Sequence, residues 1–225
     1  IPDSLQAADS LLHQVQQFDW IVLPSRNAIR SFFYKATQQN VPKASLANLQ
    51  YCTIGKDSEL LKNRYGFQPA IKPGEPSPRG IVQALGNKAK AGQKVLVVAP
   101  EVHIITEPPV IPNFIRELQA LHLQVTRLNG YMTQPTGKAA YKKIIQKLYS
   151  GTYDMLAFTS TGEIEALQHL IDTSRLPQNL PLACFGPVTA QNADSLGFHI
   201  SLTGRDYSSF TGFAEAMEDY FHKHP

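Results

Sequence analysis

Four hydroxyl side chains stand where helical patterns begin, in two pairs along the chain. Ser25 and Ser160 each follow an apolar segment, and Ser58 and Thr189 each follow a glycine turn. In an open α/β sheet, helix N-termini at the carboxyl ends of strands point free N–H groups into a crevice, where they bind carboxylates or phosphates. Taken alone, each hydroxyl is better explained as an N-cap that stabilises its helix by about 1 kcal/mol. Four of them at equivalent places favour a shared site for an anionic small molecule.

Tyr131 lies between the two halves of this pattern, in a segment from Leu128 to Pro135 that we predict to contain an interdomain linker. A side chain in such a linker is placed to face a cleft between domains. A phenol there can donate a proton or hydrogen-bond a leaving hydroxyl. A packing role at the domain junction is an equal alternative for this residue.

Other catalytic signatures are missing from the sequence. It contains no Gly-x-Ser-x-Gly motif, no phosphate-binding P-loop and no Gly-x-Gly-x-x-Gly fingerprint, and its histidines are scattered. Cys52 and Cys184 have no metal-binding or redox spacing, and their apolar surroundings predict buried thiols. The sequence therefore predicts no metal and no nucleotide cofactor.

The elements that position these residues form a repeat. The segment Asp19-Trp-Ile-Val-Leu-Pro-Ser-Arg-Asn-Ala-Ile29 has the same spacing of acidic residue, apolar strand, serine and helix start as Asp154-Met-Leu-Ala-Phe-Thr-Ser-Thr-Gly-Glu-Ile164. A second pair of segments, around Gly55 and Gly186, follows at almost the same offset. Solenoid repeats are only about 20–50 residues long. The two copies here begin at Asp19 and Asp154, which is too far apart for a solenoid. The repeat therefore predicts two similar α/β domains with a cleft between them.

The predicted domains span residues 1–130 and 137–225, with a linker at 131–136. The first should contain strands at 20–24, 50–54, 67–71 and 95–98 and one that opens at Val125, with helices at 26–38, 57–64, 79–88 and 112–122 and an earlier one capped by Asp3 or Ser4. The second should contain strands at 154–159, 181–185 and 198–201 and helices at 137–149, 162–171, 187–196 and 208–221. Because three strands leave a sheet edge poorly covered, we expect sequence upstream of Ile1 to supply a strand and a helix to the second domain.

Composition narrows the class of protein further. The chain has 225 residues, of which 43% are hydrophobic and 17% charged, and a formal net charge of +3. No apolar run reaches the roughly 18 residues of a membrane span, and no secretory signal is visible. The basic residues form no dense cluster in the sequence of the kind that nucleic-acid-binding proteins carry. We therefore expect a soluble intracellular protein with a small anionic ligand, and neither nucleic acid nor membrane as a partner.

Five segments together resemble the uroporphyrinogen-III synthase family, in order and spacing across essentially the whole chain. They are Asp19–Ile29, Ile54-Gly-Lys-Asp-Ser58, Val125-Thr-Arg-Leu-Asn-Gly-Tyr-Met-Thr133, Phe158-Thr-Ser160 and Phe185-Gly-Pro-Val-Thr-Ala190. The sequence departs from the family at Pro24, where threonine is common, and at Ser58-Glu59, where Thr-Ala is frequent.

The resemblance implies two flavodoxin-like α/β domains with parallel sheets, joined by two linkers. It implies a cofactor-free lyase that dehydrates and cyclises hydroxymethylbilane, a linear tetrapyrrole polycarboxylate, to uroporphyrinogen III with inversion of ring D. It also implies a monomer in the cytoplasm, or in the plastid stroma of a photosynthetic eukaryote. A non-catalytic two-domain protein that binds an anionic small molecule is the alternative.

The resemblance also assigns roles to residues. Tyr131 falls on the linker tyrosine that assists loss of the hydroxyl, which makes it the candidate catalytic residue. The candidate substrate-binding residues lie at the predicted strand ends and helix starts: Ser25, Arg26, Asn27, Ser58, Ser160, Thr161, Gly162, Gly186, Val188 and Thr189.

Overall fold

A computed structural model describes residues 10–55, 57–205 and 209–224. The chain divides into two units. The first contains the described residues up to His103 together with Glu107–Thr133, and the second contains Ile104–Thr106 and the described residues from Gln134 onward. Each unit is built on a parallel sheet with helices, which confirms the predicted fold class.

The first unit has a five-stranded parallel sheet in the order β3-β2-β1-β4-β5. Its strands are β1 (Trp20–Leu23), β2 (Gln50–Thr53), β3 (Pro69–Ile71), β4 (Lys94–Val102) and β5 (Gln124–Thr133). All four residues of β1 are buried, as expected for a central parallel strand covered on both faces. The strand order changes direction between β1 and β4, which makes the carboxyl ends of these two strands the switch point where open α/β sheets bind ligands.

Helices cover both faces of this sheet and enclose one apolar core on each face. They are Arg26–Gln38, Lys43–Ala47, Asp57–Leu60, Pro78–Lys88 and Val110–Ala120. The third continues as a π-helical turn, Leu61–Tyr65, and ends at Gly66, whose φ of 78° lies in the left-handed region that glycine adopts without strain. The short helix Lys43–Ala47 was not predicted, because five residues give too little periodicity to recognise.

Strand β5 continues beyond the point at which the sequence pattern breaks. We predicted irregular linker structure from Tyr131, but that residue lies within β5, which pairs with β4 as far as Val102 and Thr133. A bulge allows the strand to continue, because Ala99 pairs with Asn129 and Pro100 pairs with Tyr131, so that Gly130 is skipped. The extended strand places Tyr131 at the carboxyl edge of the first sheet.

Gly130 is required at this bulge by close packing. A Cβ atom at this position would lie 2.6 Å from Val98 Cγ1 and 2.8 Å from Ser31 Oγ. Ser31 belongs to the helix Arg26–Gln38, so the absence of a side chain lets that helix approach β5.

The second unit has a three-stranded parallel sheet in the order β6-β7-β8. Its strands are β6 (Leu156–Phe158), β7 (Leu182–Cys184) and β8 (Leu202–Thr203), and its α-helices are Lys138–Tyr149, Thr161–Leu170, Pro187–Ser195 and Phe210–Lys223. The strand predicted at 198–201 begins later, at Leu202, although Ser201 N–H already donates to Leu182 O of β7 at 2.8 Å. Phe198 N–H donates to Ala193 O at the end of a helix, and the side chain of Phe198 packs in the core instead of on a pleated strand.

Two predicted helix starts lie outside the described residues. They are the N-cap at Asp3 or Ser4 and the beginning of the last helix at residue 208; within the described part, Ser209 caps the helix that begins at Phe210. None of the helices in the described ranges is long and apolar enough to cross a membrane.

Candidate functional site

Ser25 and Tyr131 meet at the carboxyl edge of the first sheet. Ser25 follows β1 and is the N-cap of the helix Arg26–Gln38, where its Oγ accepts a hydrogen bond from Ala28 N–H at 3.1 Å. The same Oγ lies 3.3 Å from Tyr131 Oη, and both residues are half-buried. They come together because β1 and β5 flank β4 and end at the same edge. The structure thus joins two residues that sequence analysis had selected for different reasons.

Tyr131 also lines a groove of about 640 Å³ on the first unit. Asn27, a predicted substrate-binding residue, lines it too. The other lining residues come mainly from the outer face of the helix Arg26–Gln38 and from the π-helical turn: Arg30, Ser31, Phe33, Tyr34, Thr37, Arg64, Tyr65 and Met132. The groove therefore extends from Tyr131 along one side of that helix.

Arg26 and Ser58 are held by other contacts. Arg26 Nε lies 3.3 Å from Asp57 Oδ1, and 60% of the Arg26 side chain is exposed. Ser58 is buried, and its Oγ donates to the Gly55 carbonyl oxygen at 2.8 Å. The hydroxyl hydrogen of Ser58 is therefore used inside the turn that precedes its helix.

Ser160 has the backbone conformation of an N-cap at the start of the helix Thr161–Leu170, but its side chain accepts no capping hydrogen bond. The nearby Glu163 carboxylate instead accepts from Thr159 N at 2.6 Å and from Thr159 Oγ1 at 2.8 Å. Ser160 is exposed, and its hydroxyl has no hydrogen-bond partner among the described residues. It is free to donate to a ligand.

Thr161 and Gly162 follow in the first turn of this helix. Thr161 Oγ1 accepts from Asn192 Nδ2 at 2.9 Å, which ties the helix to the neighbouring helix Pro187–Ser195. A Cβ atom on Gly162 would lie 3.2 Å from Ile105 Cδ1, so the residue contacts the segment Ile104–Thr106 closely. Their N–H groups receive no side-chain cap.

The helix Pro187–Ser195 also begins without a side-chain cap. Gly186 occupies the N-cap position and offers no side chain, and Pro187 has no N–H to donate. The N–H groups of Val188 and Thr189 are consequently the first free donors. Val188 is 70% exposed, and Thr189 is half-buried, with no hydrogen bond to its hydroxyl from the described residues. These groups suit an anion at the positive end of the helix dipole.

Several charged residues of the first unit were not predicted from the sequence. On β4, Glu101 Oε1 lies 2.8 Å from His103 Nε2, and on β5, Arg127 Nη2 lies 2.5 Å from Glu107 Oε1. Arg30 and Arg64 line the groove beside Tyr131. The spacing of Asn27, Arg30 and Tyr34 on one helix face was the available signal for Arg30. Nothing in the sequence connects Arg30 with the distant Arg64.

The two thiols are buried, as predicted. Burial raises the pKa of Cys52 from its ordinary value of 9.0 to about 12, although Lys88 opposes the shift. Burial also raises the pKa of Cys184 to about 11, and the negative charge of Asp194 adds to that shift. Neither cysteine is therefore available as a thiolate nucleophile at neutral pH. Within the described ranges, no three His, Cys, Asp or Glu side chains are placed to bind a metal ion together.

Comparisons with known proteins agree on one family. The family model described as HEM4, uroporphyrinogen-III synthase HemD, matches residues 1–209. A curated relative, the porphyrin biosynthesis protein HemD of Ruminiclostridium josui, is 22% identical over 184 residues, which cover 80% of this chain and 34% of the relative. The chain thus spans about a third of the length of that relative.

Solved structures show the same fold. The uroporphyrinogen-III synthetase of Helicobacter pylori 26695 superimposes with a TM-score of 0.61 at 15% identity, covering 90% of this chain and 84% of that one. A mutant uroporphyrinogen III synthase of Thermus thermophilus superimposes with a TM-score of 0.52 at 17% identity, covering 97% and 85% of the two chains.

Proposed function

The chain belongs to the uroporphyrinogen-III synthase family, and from that premise we propose that it cyclises hydroxymethylbilane to uroporphyrinogen III with loss of water and inversion of ring D. The observation that carries the proposal is the pair of hydroxyls at the edge of the first sheet, where Ser25 Oγ and Tyr131 Oη lie 3.3 Å apart. This is the residue pair at which a proton can be delivered to a leaving oxygen.

Tyr131 is the proton donor in this proposal. Its phenol O–H can transfer a proton to the substrate hydroxyl as the C–O bond breaks, so that water leaves. The electron pair comes from the nitrogen of the same pyrrole ring, which becomes an azafulvene. Ser25 orients the phenol through the contact at 3.3 Å. After the ring D carbon forms the new C–C bond and the spiro intermediate rearranges, one proton passes back to the Tyr131 phenolate. This restores the aromatic ring and the phenol, and the reaction balances as substrate to product plus water.

The carboxylates of the substrate need donors that do not react. Free N–H groups at helix starts meet this need, and both Thr161–Leu170 and Pro187–Ser195 begin without a side-chain cap. We assign carboxylate binding to the Ser160 and Thr189 hydroxyls and to the N–H groups of Thr161, Gly162, Val188 and Thr189. Ser25, Arg26, Asn27, Ser58 and Gly186 complete the proposed substrate-binding set.

The proposed organisation has a first domain to residue 130, a linker at 131–136 whose first three residues are the end of β5, and a second domain from 137. The division of the two units between Thr133 and Gln134 supports a linker in this region. A monomeric state and a location in the cytoplasm or plastid stroma belong to the same proposal.

The decisive test is an assay in which hydroxymethylbilane is generated in place and the oxidised products are separated into type I and type III isomers. Without an enzyme, the substrate closes to the type I isomer. We expect an excess of type III with this chain. Type I alone, at every enzyme concentration, would contradict the proposal and favour a non-catalytic protein that binds an anionic small molecule.

A further inference from the structure

We propose that the groove beside Tyr131 binds the pyrrole ring of the substrate that carries the leaving hydroxyl, and that Arg30 and Arg64 bind the carboxylates of this ring. The groove is defined by Asn27, Arg30, Arg64, Tyr65 and Tyr131, and we call it the arginine groove. The inference rests on the proposed function, since it identifies the part of that substrate which meets the proton donor.

The floor of the arginine groove is aromatic and rigid. The ring of Tyr65 stacks on that of Phe33, with centroids 4.2 Å apart and an interplanar angle of 15°. Phe33 is only 5% exposed and is fixed in the core by further ring contacts with Phe32 and Phe67. A flat, electron-rich ring packs well against such a surface. The floor therefore suits a pyrrole better than a flexible aliphatic chain.

The rim of the groove carries two positive charges without counter-charges. Arg30 and Arg64 are exposed and form no ion pair with any described residue, whereas Arg26 pairs with Asp57 and Arg127 pairs with Glu107. No acidic side chain is among the described residues that line the groove. Guanidinium groups bind carboxylates through paired hydrogen bonds. Both arginines are therefore available for the acidic side chains that a substrate pyrrole carries.

The location of the groove determines which pyrrole ring of the substrate binds there. Tyr131 lines the groove and also lies within 3.3 Å of Ser25 Oγ, so a ring in the groove has its substituents next to the proposed proton donor. A volume of about 640 Å³ is within the range of small-molecule sites, roughly 300–1,000 Å³. The ring that loses its hydroxyl must sit where the proton is delivered, and this groove meets that requirement.

The test uses Arg30→Gln, Arg64→Gln and the double variant in the isomer assay. We expect KM to rise about tenfold for each single variant, with kcat changed less than twofold, because a charged hydrogen bond to the substrate is lost while Tyr131 is untouched. Arg116→Gln is the matched control, because Arg116 is exposed on the same unit, lies outside the groove, and among the described residues hydrogen-bonds with Asn113 of its own helix. A KM of the double variant equal to that of the control would overturn the proposal.

A binding experiment separates this proposal from the proposed function. The probe is a stable monopyrrole that carries one acetate and one propionate, titrated while the NMR signals of the Phe33 and Tyr65 rings are followed. We expect saturable shifts in the native chain and in Arg116→Gln, and their loss in the double variant. Such shifts without any type III product would support the groove and contradict the synthase. Type III product with no shifts at the highest probe concentration would support the synthase and contradict the groove.

Discussion

The helices that follow β1 and β6 begin with the same local geometry and differ in what completes them. Ser25 and Ser160 both have an extended backbone at the N-cap position. The Ser25 hydroxyl is engaged by Ala28 N–H and Tyr131, whereas the Ser160 hydroxyl has no described partner. Equal motifs thus produce a fixed hydroxyl in the first unit and an open one in the second. Under the proposed function, the fixed site corresponds to proton transfer and the open site to binding of a substrate carboxylate.

The second pair of hydroxyls differs in a similar way, with consequences for binding. Ser58 is buried and donates to the Gly55 carbonyl oxygen, while Thr189 is half-buried and makes no hydrogen bond to described residues through its hydroxyl. In this pair too, the hydroxyl of the first unit is bonded within its own turn and that of the second unit is not bonded to any described residue. A hydroxyl that is already bonded contributes to binding less than a free one, because it must exchange one partner for another.

The largest expected effect compares Tyr131 with Tyr153, which precedes β6. Tyr131→Phe should lower kcat by at least about 100-fold, since a general acid contributes about 10²–10⁴-fold. Tyr153 is 36% exposed and forms no described hydrogen bond, so Tyr153→Phe should leave kcat unchanged. The isomer assay measures both variants. Equal activity in the two would remove the proton-transfer role from the first unit.

Alanine substitutions at Gly130 and Gly162 compare how tightly each unit packs around its own glycine. Gly130→Ala should lower the free energy of unfolding by about 1–3 kcal/mol, because the new methyl group would lie 2.6 Å from Val98 Cγ1 in a packed core. Gly162→Ala should cost less than about 1 kcal/mol, since the new methyl group would meet the flexible end of the Ile105 side chain at 3.2 Å. Urea unfolding measures both changes, and the reverse order would contradict the comparison.

Cys52 and Cys184 occupy equivalent strands, β2 and β7, in sheets of different size. Burial raises the pKa of the Cys52 thiol to about 12 and that of the Cys184 thiol to about 11, so alkylation of the native protein at pH 8.5 should modify Cys184 first. Mass spectrometry of timed samples measures the order. Faster modification of Cys52 would mean that the five-stranded sheet does not shield the Cys52 thiol better than the three-stranded sheet shields the Cys184 thiol.

The same shifts set a pH dependence of stability. Below about pH 9 both thiols are protonated in the folded and unfolded chain, so they contribute no slope. Between the ordinary thiol pKa of 9.0 and the folded values of about 11 and 12, the unfolded chain loses protons that the folded chain keeps. The free energy of unfolding should therefore fall as pH rises from 9, and it should fall less in Cys52→Ala.

The smallest expected effect concerns the two serines. Ser25→Ala removes a cap and should lower the free energy of unfolding by about 1 kcal/mol. Ser160→Ala removes no described hydrogen bond and should change it by less than about 0.5 kcal/mol, while raising KM in the isomer assay. Urea unfolding and kinetics on the same samples separate the two roles. A larger loss of stability in Ser160→Ala would show that the open hydroxyl has a structural partner.

Most of the fold could be predicted from the sequence, because most strands and helices have a recognisable local residue pattern. Buried apolar runs defined β1, β2 and β7, and Ser25 was recognised as an N-cap before its helix. The errors arose where long-range contacts decide. Pairing with β4 carries β5 past the break in its pattern, and packing of Phe198 in the core shifts the strand expected at 198–201 to Leu202–Thr203.

The candidate site was predictable residue by residue but not as a set of partners. Spacing identified Tyr131 and Ser25, yet their contact depends on the strand order. The free hydroxyl of Ser160 depends on Glu163, which bonds to Thr159 instead. Arg30 and Arg64 come from segments with no local relation, so only the folded chain brings them to one groove.

The π-helical turn Leu61–Tyr65 makes the arginine groove sensitive to the insertion or deletion of a single residue in this segment. A π turn contains one residue more than the α-helical turn it replaces, so it is equivalent to a single-residue insertion in a helix. Deleting one residue here would restore α-helical winding and rotate Arg64 and Tyr65 by about 100° around the helix axis. The specificity of this surface can therefore be gained or lost through insertion and deletion, without any substitution in the residues that form it.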